Sequence, residues 1–310
     1  MTVLVGGATE ATTFPYLTRH GSCKEALMLE DLVFDIGMNN GDDTAYYLHE
    51  GFRVVAVEAH PQLVEQTRLR FQREIEEGRL VILNVGIAEQ PGEMPFWVCE
   101  TQSDWSSFDR RVASRDGCLH HELMVQCRTF ASVIDEHGVP FYSKIDIEGN
   151  DLLCVKDLKP ATLPKYVSVE ASGTEGLAVL ADRGYTRFKC ISQFDLLPVQ
   201  LPPSAEHRRV EFARRMLSSN AFLARVFRRL VGRERLQRME TQSRRVGDWM
   251  FPPGSSGPFG KKLPGRWQTY AEMERTYETF QQMMRRGEPS LFWNEKGYSF
   301  WADFHAMRDG

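Results

Sequence analysis

From residue 31 to about residue 195, short apolar runs alternate with stretches of helical period, and this alternation restricts the fold more than any other feature of the chain. "LVFDIG", "RVVAVEA", "RLVILNVGI", "YSKIDIEG" and "KYVSVEAS" read as strands. Between and after them, "DTAYYLHEG", "PQLVEQTRLRFQREIEEG", "FASVIDEHG", "NDLLCVKDL" and "GTEGLAVLADRGY" read as helices, opened by residues such as Pro61 and ended by glycines such as Gly51, Gly78 and Gly184. Strands that alternate with helices form a parallel sheet covered on both faces, which places the chain in the doubly wound α/β class. Residues 93 to 128 break the rhythm, with "EMPFWVCE" and "ELMVQCRT" alternating like half-exposed strands on either side of a polar loop.

Three parts follow: an N-terminal segment 1–30, an α/β core 31–200, and a C-terminal extension 201–310 that caps the substrate or covers it as a lid. No secretory signal is evident at the N-terminus, and no run approaches the roughly 18 apolar residues of a membrane span, so a cytoplasmic setting is the expectation. The six cysteines, Cys23, Cys99, Cys118, Cys127, Cys154 and Cys190, form no C-x-x-C pair and read as free buried thiols rather than a disulfide framework.

Net charge is −4 but uneven. Residues 201–250 hold twelve arginines, no lysine and five acids, a surplus of seven positive charges that leaves −11 on the remainder. Within that window Val210, Ala213, Leu217, Leu223, Phe227 and Leu230 recur at helical spacing, the pattern of an amphipathic helix or helix pair packed through its apolar stripe. The arginines on the other face are either plainly solvated or a contact for a membrane surface or an anionic substrate. Nucleic acid is not expected, because the rest of the chain is acidic. Next comes "FPPGSSGPFGKKLPG", eight of whose fifteen residues are Gly or Pro, so no regular element runs through it. Trp249, Phe251 and Trp267 around it are candidates for stacking on sugar faces, with a plain structural connection as the alternative. A helical "QTYAEMERTYETFQQMM" and an aromatic-rich "LFWNEKGYSFWADF" complete the chain.

The chemistry concentrates where the first strand turns into the first helix, at Asp35-Ile36-Gly37-Met38-Asn39-Asn40-Gly41. Glycines there let a ligand approach the backbone, and the helix offers unpaired N–H groups. Glu58, at the tip of the second strand, suits the two hydroxyls of a ribose. The turn lacks G-x-G-x-x-G, and Asp35, Asp42 and Asp43 would repel a pyrophosphate but can hold an ammonium. S-adenosylmethionine carries such an ammonium together with a ribose. "SKIDIEGND", with Lys144, Asp146, Glu148 and Gly149, lies at the end of a later strand that neighbours the first in a doubly wound sheet. Tyr185 and Lys189 have the spacing of a dehydrogenase pair, but they fall in a strand and read as coincidence.

On these residues the sequence resembles the FkbM family of S-adenosylmethionine-dependent methyltransferases. "DIGMNNGDDTAYYL", "VVAVEAHP", "LNVGIAEQPGEMPFWV", the "WSSF" loop, "CRTFASVID", "YSKIDIEGND" and "YVSVEAS" follow in the family's order over residues 31 to 195. The resemblance implies a class I, Rossmann-like methyltransferase fold with a seven-stranded, mostly parallel sheet and an antiparallel last hairpin, for which "YTRFKCIS" and "LLPVQ" are candidates. It also implies cofactor contacts at Asp35, Gly37, Asn39, Gly41 and Glu58, with Val57-Glu58-Ala59 in place of the family's commoner F-E-P. The expected reaction is O-methylation of a hydroxyl on a saccharide or secondary metabolite. N-methylation of an amine, a catalytically inactive cofactor-binding module and, more distantly, a nicotinamide oxidoreductase remain as alternatives.

Removing a proton from the acceptor needs a base near the strand ends, and Asp146, Glu170 and His60 are the candidates, Asp146 first and also near the cofactor. Glu148 and the pair His120 and His121 are weighed beside them, Glu148 equally as a helix cap and the histidines as residues of a polar loop. Several carboxylates could gather Mg²⁺, but no ligand spacing favours it, so no metal residue is assigned. The "SDWSSFDRR" loop is a candidate cover, in which Trp105 and Phe108 either line the site or merely pack.

Overall fold

Leu32, Phe34 and Ile36 point to one side of the first strand and Val33 to the other, and every one is fully buried, so this strand lies at the centre of a two-faced sheet. A computed structural model describes residues 27–286 and 301–309. Its central sheet has seven strands: β1 (Met28–Ile36), β2 (Arg53–Val57), β3 (Leu80–Leu83), β4 (Val139–Ile145), β5 (Tyr166–Glu170), β6 (Arg187–Ser192) and β7 (Ala302–Met307). They stand in the order β3-β2-β1-β4-β5-β7-β6. β1 pairs in parallel with both β2 and β4, putting Phe34 opposite Val55 and Asp35 opposite Lys144. Strand order therefore reverses beside β1, and in such sheets ligands bind at that switch, outside the carboxyl ends. The expected class I methyltransferase architecture is present.

One face of the sheet is covered by helices α3 (Phe130–His137), α4 (Asp151–Asp157), α5 (Thr174–Arg183) and α9 (Tyr270–Arg285), whose Phe130, Val133, Val155, Leu177, Leu180, Met273, Tyr277 and Phe280 meet Phe34, Val55, Val167 and Phe304. On the opposite face α1 (Asp42–His49) contributes Tyr46 and Tyr47. Where a further helix would lie, the Gly/Pro-rich segment lies instead. Phe259 stacks on Tyr142 with centroids 4.1 Å apart, and Phe251 packs on Tyr46 at 4.5 Å. Phe251, Trp249 and Trp267 are thus packing residues against α1 and β5 rather than free stacking platforms.

Several expectations change with the fold. The antiparallel partner of "YTRFKCIS" is β7, which pairs with both β5 and β6, whereas "LLPVQ" contributes one isolated bridge, Pro198 to Ile191. A boundary at residue 200 therefore does not separate an appendage, since the extension supplies a strand of the central sheet and much of its second face. Residues 205 to 241 form three helices, α6 (Ala205–Ser218), α7 (Phe222–Val231) and α8 (Arg233–Thr241). Of the expected packed stripe, Val210 and Ala213 are buried, but Leu223 and Leu230 are 79% and 80% exposed. Cys99 and Cys118 are joined in a disulfide, against the expectation of free thiols, while Cys127, Cys154 and Cys190 are free and buried. Such bonds are unusual in reducing compartments. Cys23, most of the N-terminal segment and all of "LFWNEKGYSF" lie outside the described residues. Among the described residues no helix is long and apolar enough to cross a membrane.

Candidate active site

The pocket opens at the carboxyl ends of β1, β2 and β4. Gly37 begins the turn after β1 with φ +81°, and a Cβ there would meet the Asp146 carbonyl oxygen at 1.7 Å, so only glycine lets the first and fourth strand ends come this close. Gly41 ends the turn at φ +79° against Phe71 and starts α1. Between them the Asn39 N–H donates to Glu58 Oε2 at 2.8 Å, and the His60 N–H donates to Glu58 Oε1 at 2.8 Å. Two backbone donors thereby hold the Glu58 carboxylate at the wall of the pocket with lone pairs to spare. Burial pushes its pKa up, and the two N–H groups act against that.

Below the turn lies a buried charge cluster. Lys144 on β4 is 4% exposed and reaches Asp35 Oδ1 at 3.3 Å, Asp146 Oδ2 at 3.6 Å and the Gly37 carbonyl at 2.7 Å. Burial alone would lower the lysine's pKa, but the facing Asp35, Asp146 and Asp43 outweigh it and hold the ammonium charged. Asp35 also accepts from Thr44 Oγ1 at 2.6 Å. Asp43 accepts from the Ser255 hydroxyl and from the Ser256 N–H, and burial lifts its pKa to about 6. The Gly/Pro-rich segment is thus wired into the floor of the site.

Of the cofactor residues expected from the sequence, Gly37, Asn39, Glu58 and Asp146 line the pocket, whereas Asp35 and Gly41 support it from behind. Of the first-named bases, Asp146, Glu170 and His60, only Asp146 lines it. His60 caps α2 (Pro61–Arg70), its Nδ1 accepting from the Gln62 N–H at 3.3 Å, and burial lowers its pKa. Glu170 ends β5 outside the lining, raised by burial and by Asp146. Glu148, weighed both as a base and as a helix cap, lines the pocket in a left-handed backbone conformation, and Asn150 starts α4. Burial, with Asp146 and Glu170 nearby, raises the Glu148 carboxyl to about 8, with Arg115 at 3.3 Å opposing. Asp303 on β7 is raised to about 8 by burial and Asp146.

The polar loop does fold over the site. It spans the gap between strands Gly92–Cys99 and His120–Arg128, which pair antiparallel as a side ribbon, and the disulfide ties its two ends. Ser103 donates to Asn39 Oδ1 at 3.2 Å and Ser107 to the Glu148 carbonyl at 2.9 Å, so the loop bridges the turn after β1 and the end of β4. Phe108 lines the pocket and packs on Phe96, while Trp105 stays outside the lining. His120 and His121 start the ribbon strand rather than lying in the loop. Tyr185 and Lys189 bond to the carbonyls of Pro164 and of Leu263 and Pro264, away from the pocket.

Pro252, Pro253, Gly254, Ser255 and Trp301 complete the wall; within the extension expected as a cap or lid, the sequence singled out Trp249, Phe251 and Trp267 and none of these five. Only the density of Gly and Pro hinted that this segment follows a surface rather than making its own. Among the described residues no group of three or more His, Cys, Asp or Glu is arranged to hold a metal ion. The lining does fit S-adenosylmethionine: a carboxylate for a diol, apolar Met38, Leu63, Ile87 and Phe96 for a ring, and three carboxylates around one lysine, which leaves net negative charge for a cation.

The sequence model of the methyltransferase FkbM domain matches residues 35–189. No curated protein matches the chain. Among solved structures, methyltransferase FkbM from Methylobacillus flagellatus KT is similar at 19% identity and a TM-score of 0.33, over 46% of this chain and 33% of that one, so this chain spans about a third of that relative. Precorrin-6y C5,15-methyltransferase from Geobacter metallireducens GS-15 is similar at 15% identity and a TM-score of 0.31, over 54% of this chain and 69% of that one. Likeness at this level bears on neither substrate nor site. The domain match covers half of the chain, from Asp35 beneath the turn to Lys189 on β6, and the chain belongs to the FkbM methyltransferase family.

Proposed function

We propose that the protein transfers a methyl group from S-adenosylmethionine to a hydroxyl of a saccharide or secondary metabolite. The observation that carries this reading is the joint presence in one pocket of a backbone-held Glu58 and of Glu148, a carboxyl whose proton affinity lies near neutrality. Bound S-adenosylmethionine supplies a methyl on a sulfonium, already activated for in-line displacement. Glu58 accepts the ribose hydroxyls, and Asp146, with the charge cluster beneath it, faces the cationic end. Methyl transfer then depends on orienting the acceptor and taking its proton. Glu148 takes that proton at its carboxylate, since a base with a pKa near the working pH combines availability with driving force. Asp146, the first choice from sequence, is less suited because a proton arriving there would weaken its pairing with Lys144. Trp301 offers the flat apolar surface on which a sugar face stacks.

The test is transfer of a labelled methyl group to a panel of saccharides, phenols and amines by the wild type and by Glu148→Gln, with calorimetric titration of the donor into both. Glu148→Gln is expected to lower turnover by about 10² to 10⁴ with donor affinity kept within a few-fold. Turnover unchanged in the variant would remove Glu148 from the mechanism. Transfer to amines alone would replace the hydroxyl reading, and absence of donor binding to the wild type would remove the cofactor assignment.

A further inference from the structure

Helix α7, "FLARVFRRLV", turns an apolar ridge outward. Phe222, Leu223 and Leu230 are 70%, 79% and 80% exposed, Val226 is partly exposed beside them, and on a helical wheel the four fall within one 100° arc. Its packed side is made by Ala224, 2% exposed, with Phe227 against Phe212 of α6. Arg228 on that side is bound by the carbonyls of Met216 and Ser219 at 2.5 and 2.7 Å. The ridge is therefore what remains after α7 has already made its contacts with its neighbours.

Arg225 and Arg229 flank the ridge, and Arg233 and Arg235 follow on α8. All four are exposed, and among the described residues none pairs with a carboxylate. By contrast Arg214, Arg215 and Arg238 are all matched by acids. Unmatched cations beside uncovered apolar side chains, on a chain whose remainder carries −11, fit a surface that is anionic and accepts apolar insertion. A ten-residue helix with four outward apolar side chains also falls short of the roughly 800 Å² that each partner contributes to a stable protein interface. A bilayer makes no such demand of shape or area.

We infer that α7, with Arg225, Arg229, Arg233 and Arg235 around its apolar ridge, is a docking surface for an anionic lipid membrane. The helix lies along the interface, its apolar residues in the acyl boundary and its arginines at the headgroups. The chain runs from β6 to α6 through residues 193–204, where the Gln193 carbonyl accepts from the Gly254 N–H at 2.9 Å and the Gln193 N–H donates to the Trp301 carbonyl at 3.0 Å, and Gly254 and Trp301 both line the pocket. Arg214 of α6 pairs with Asp195 at the same end. The docking helix is thereby tied through α6 to the pocket end of the sheet.

The test is co-sedimentation of the full chain with vesicles of phosphatidylcholine alone or doped with phosphatidylglycerol, for the wild type, for Leu223→Glu with Leu230→Glu, and for Arg225→Glu with Arg229→Glu. Because all four positions are exposed, each double variant should melt like the wild type, which separates lost docking from lost folding. The expected result is partition of the wild type onto the anionic vesicles alone, weakened by salt and reduced about tenfold or more in both variants. Absence of partition, equal partition onto neutral vesicles, or undiminished partition of the leucine variant would each overturn the inference. So would a dimer in light scattering that the leucine variant makes monomeric without any vesicle binding, which would assign the ridge to a second copy.

Discussion

Glu58 is the residue whose role rests most directly on geometry, because both of its carboxylate oxygens are already oriented by backbone N–H groups. A ligand diol meets a preorganised acceptor, and each charge-assisted hydrogen bond contributes about 1.5 to 3 kcal/mol. Glu58→Ala should therefore weaken S-adenosylmethionine about tenfold to a hundredfold in calorimetry, and unchanged affinity would show that the diol is held elsewhere. Glu148 has consequences for stability as well as for turnover. Its folded pKa, about 8, lies above the ordinary 4.5, so between those values the folded state keeps a proton that the unfolded chain releases. Stability from this group is full below about pH 4.5 and falls as pH rises toward about 8. In thermal melts Glu148→Gln should lose less stability than the wild type as pH is raised through that window, and parallel pH curves for the two proteins would contradict this.

The loop from residue 100 to residue 117 shows how one element is made to hold another. Its own structure is limited to short helical turns at Ser103–Trp105, Arg110–Ala113 and Arg115–Gly117, yet Ser103 and Ser107 attach it to the turn after β1 and the end of β4, and the disulfide from Cys99 to Cys118 closes its base. Closing a loop of this length removes about 3 kcal/mol of chain entropy from the open state. Cys118→Ser, or reduction of the bond, should leave the central sheet intact by circular dichroism, make the loop more susceptible to proteolysis and lower donor affinity several-fold. Equal proteolysis rates in the oxidised and reduced protein would mean that the hydrogen bonds alone suffice. The Gly/Pro-rich segment teaches the complementary lesson. Eight glycines and prolines in fifteen residues exclude a helix or strand, but they do not exclude a packing layer, and Phe251 and Phe259 make this segment part of the core.

For the molecule as a whole, the decisive connection is the return of the chain to insert β7 between β5 and β6. Ala302, Phe304 and Ala306 are buried there, and Asp303 accepts from Gln193 at 2.7 Å. A chain ending before Ala302 leaves β6 without its partner in the sheet and one edge of β5 unpaired, and opens the core beside Tyr277 and Phe280. It should lose the cooperative urea transition of the full chain, and a retained sharp transition would show that the first six strands fold without the seventh.

The strands and helices between residues 31 and 192 were readable because each carries a local signal: period 2 or period 3.6 in its apolar residues, and a Pro, Gly or capping residue at its ends. The glycine and acid turn was readable because a strand-to-helix crossing that must pass close to another backbone has few residues to choose from, and Gly37 against the Asp146 carbonyl is the case in point. What local signals do not encode is which distant segment satisfies an unpaired edge or an uncovered face. The partner of β6, the serines on Asp43, the Cys99 to Cys118 bond and the outward ridge of α7 were settled by long-range packing, in which position depends on the whole assembled surface and not on any pattern within the segment itself. For the same reason the sequence left Glu148 open between a base and a helix cap, and its proton affinity arises only where burial and the charges of Asp146 and Glu170 meet in space.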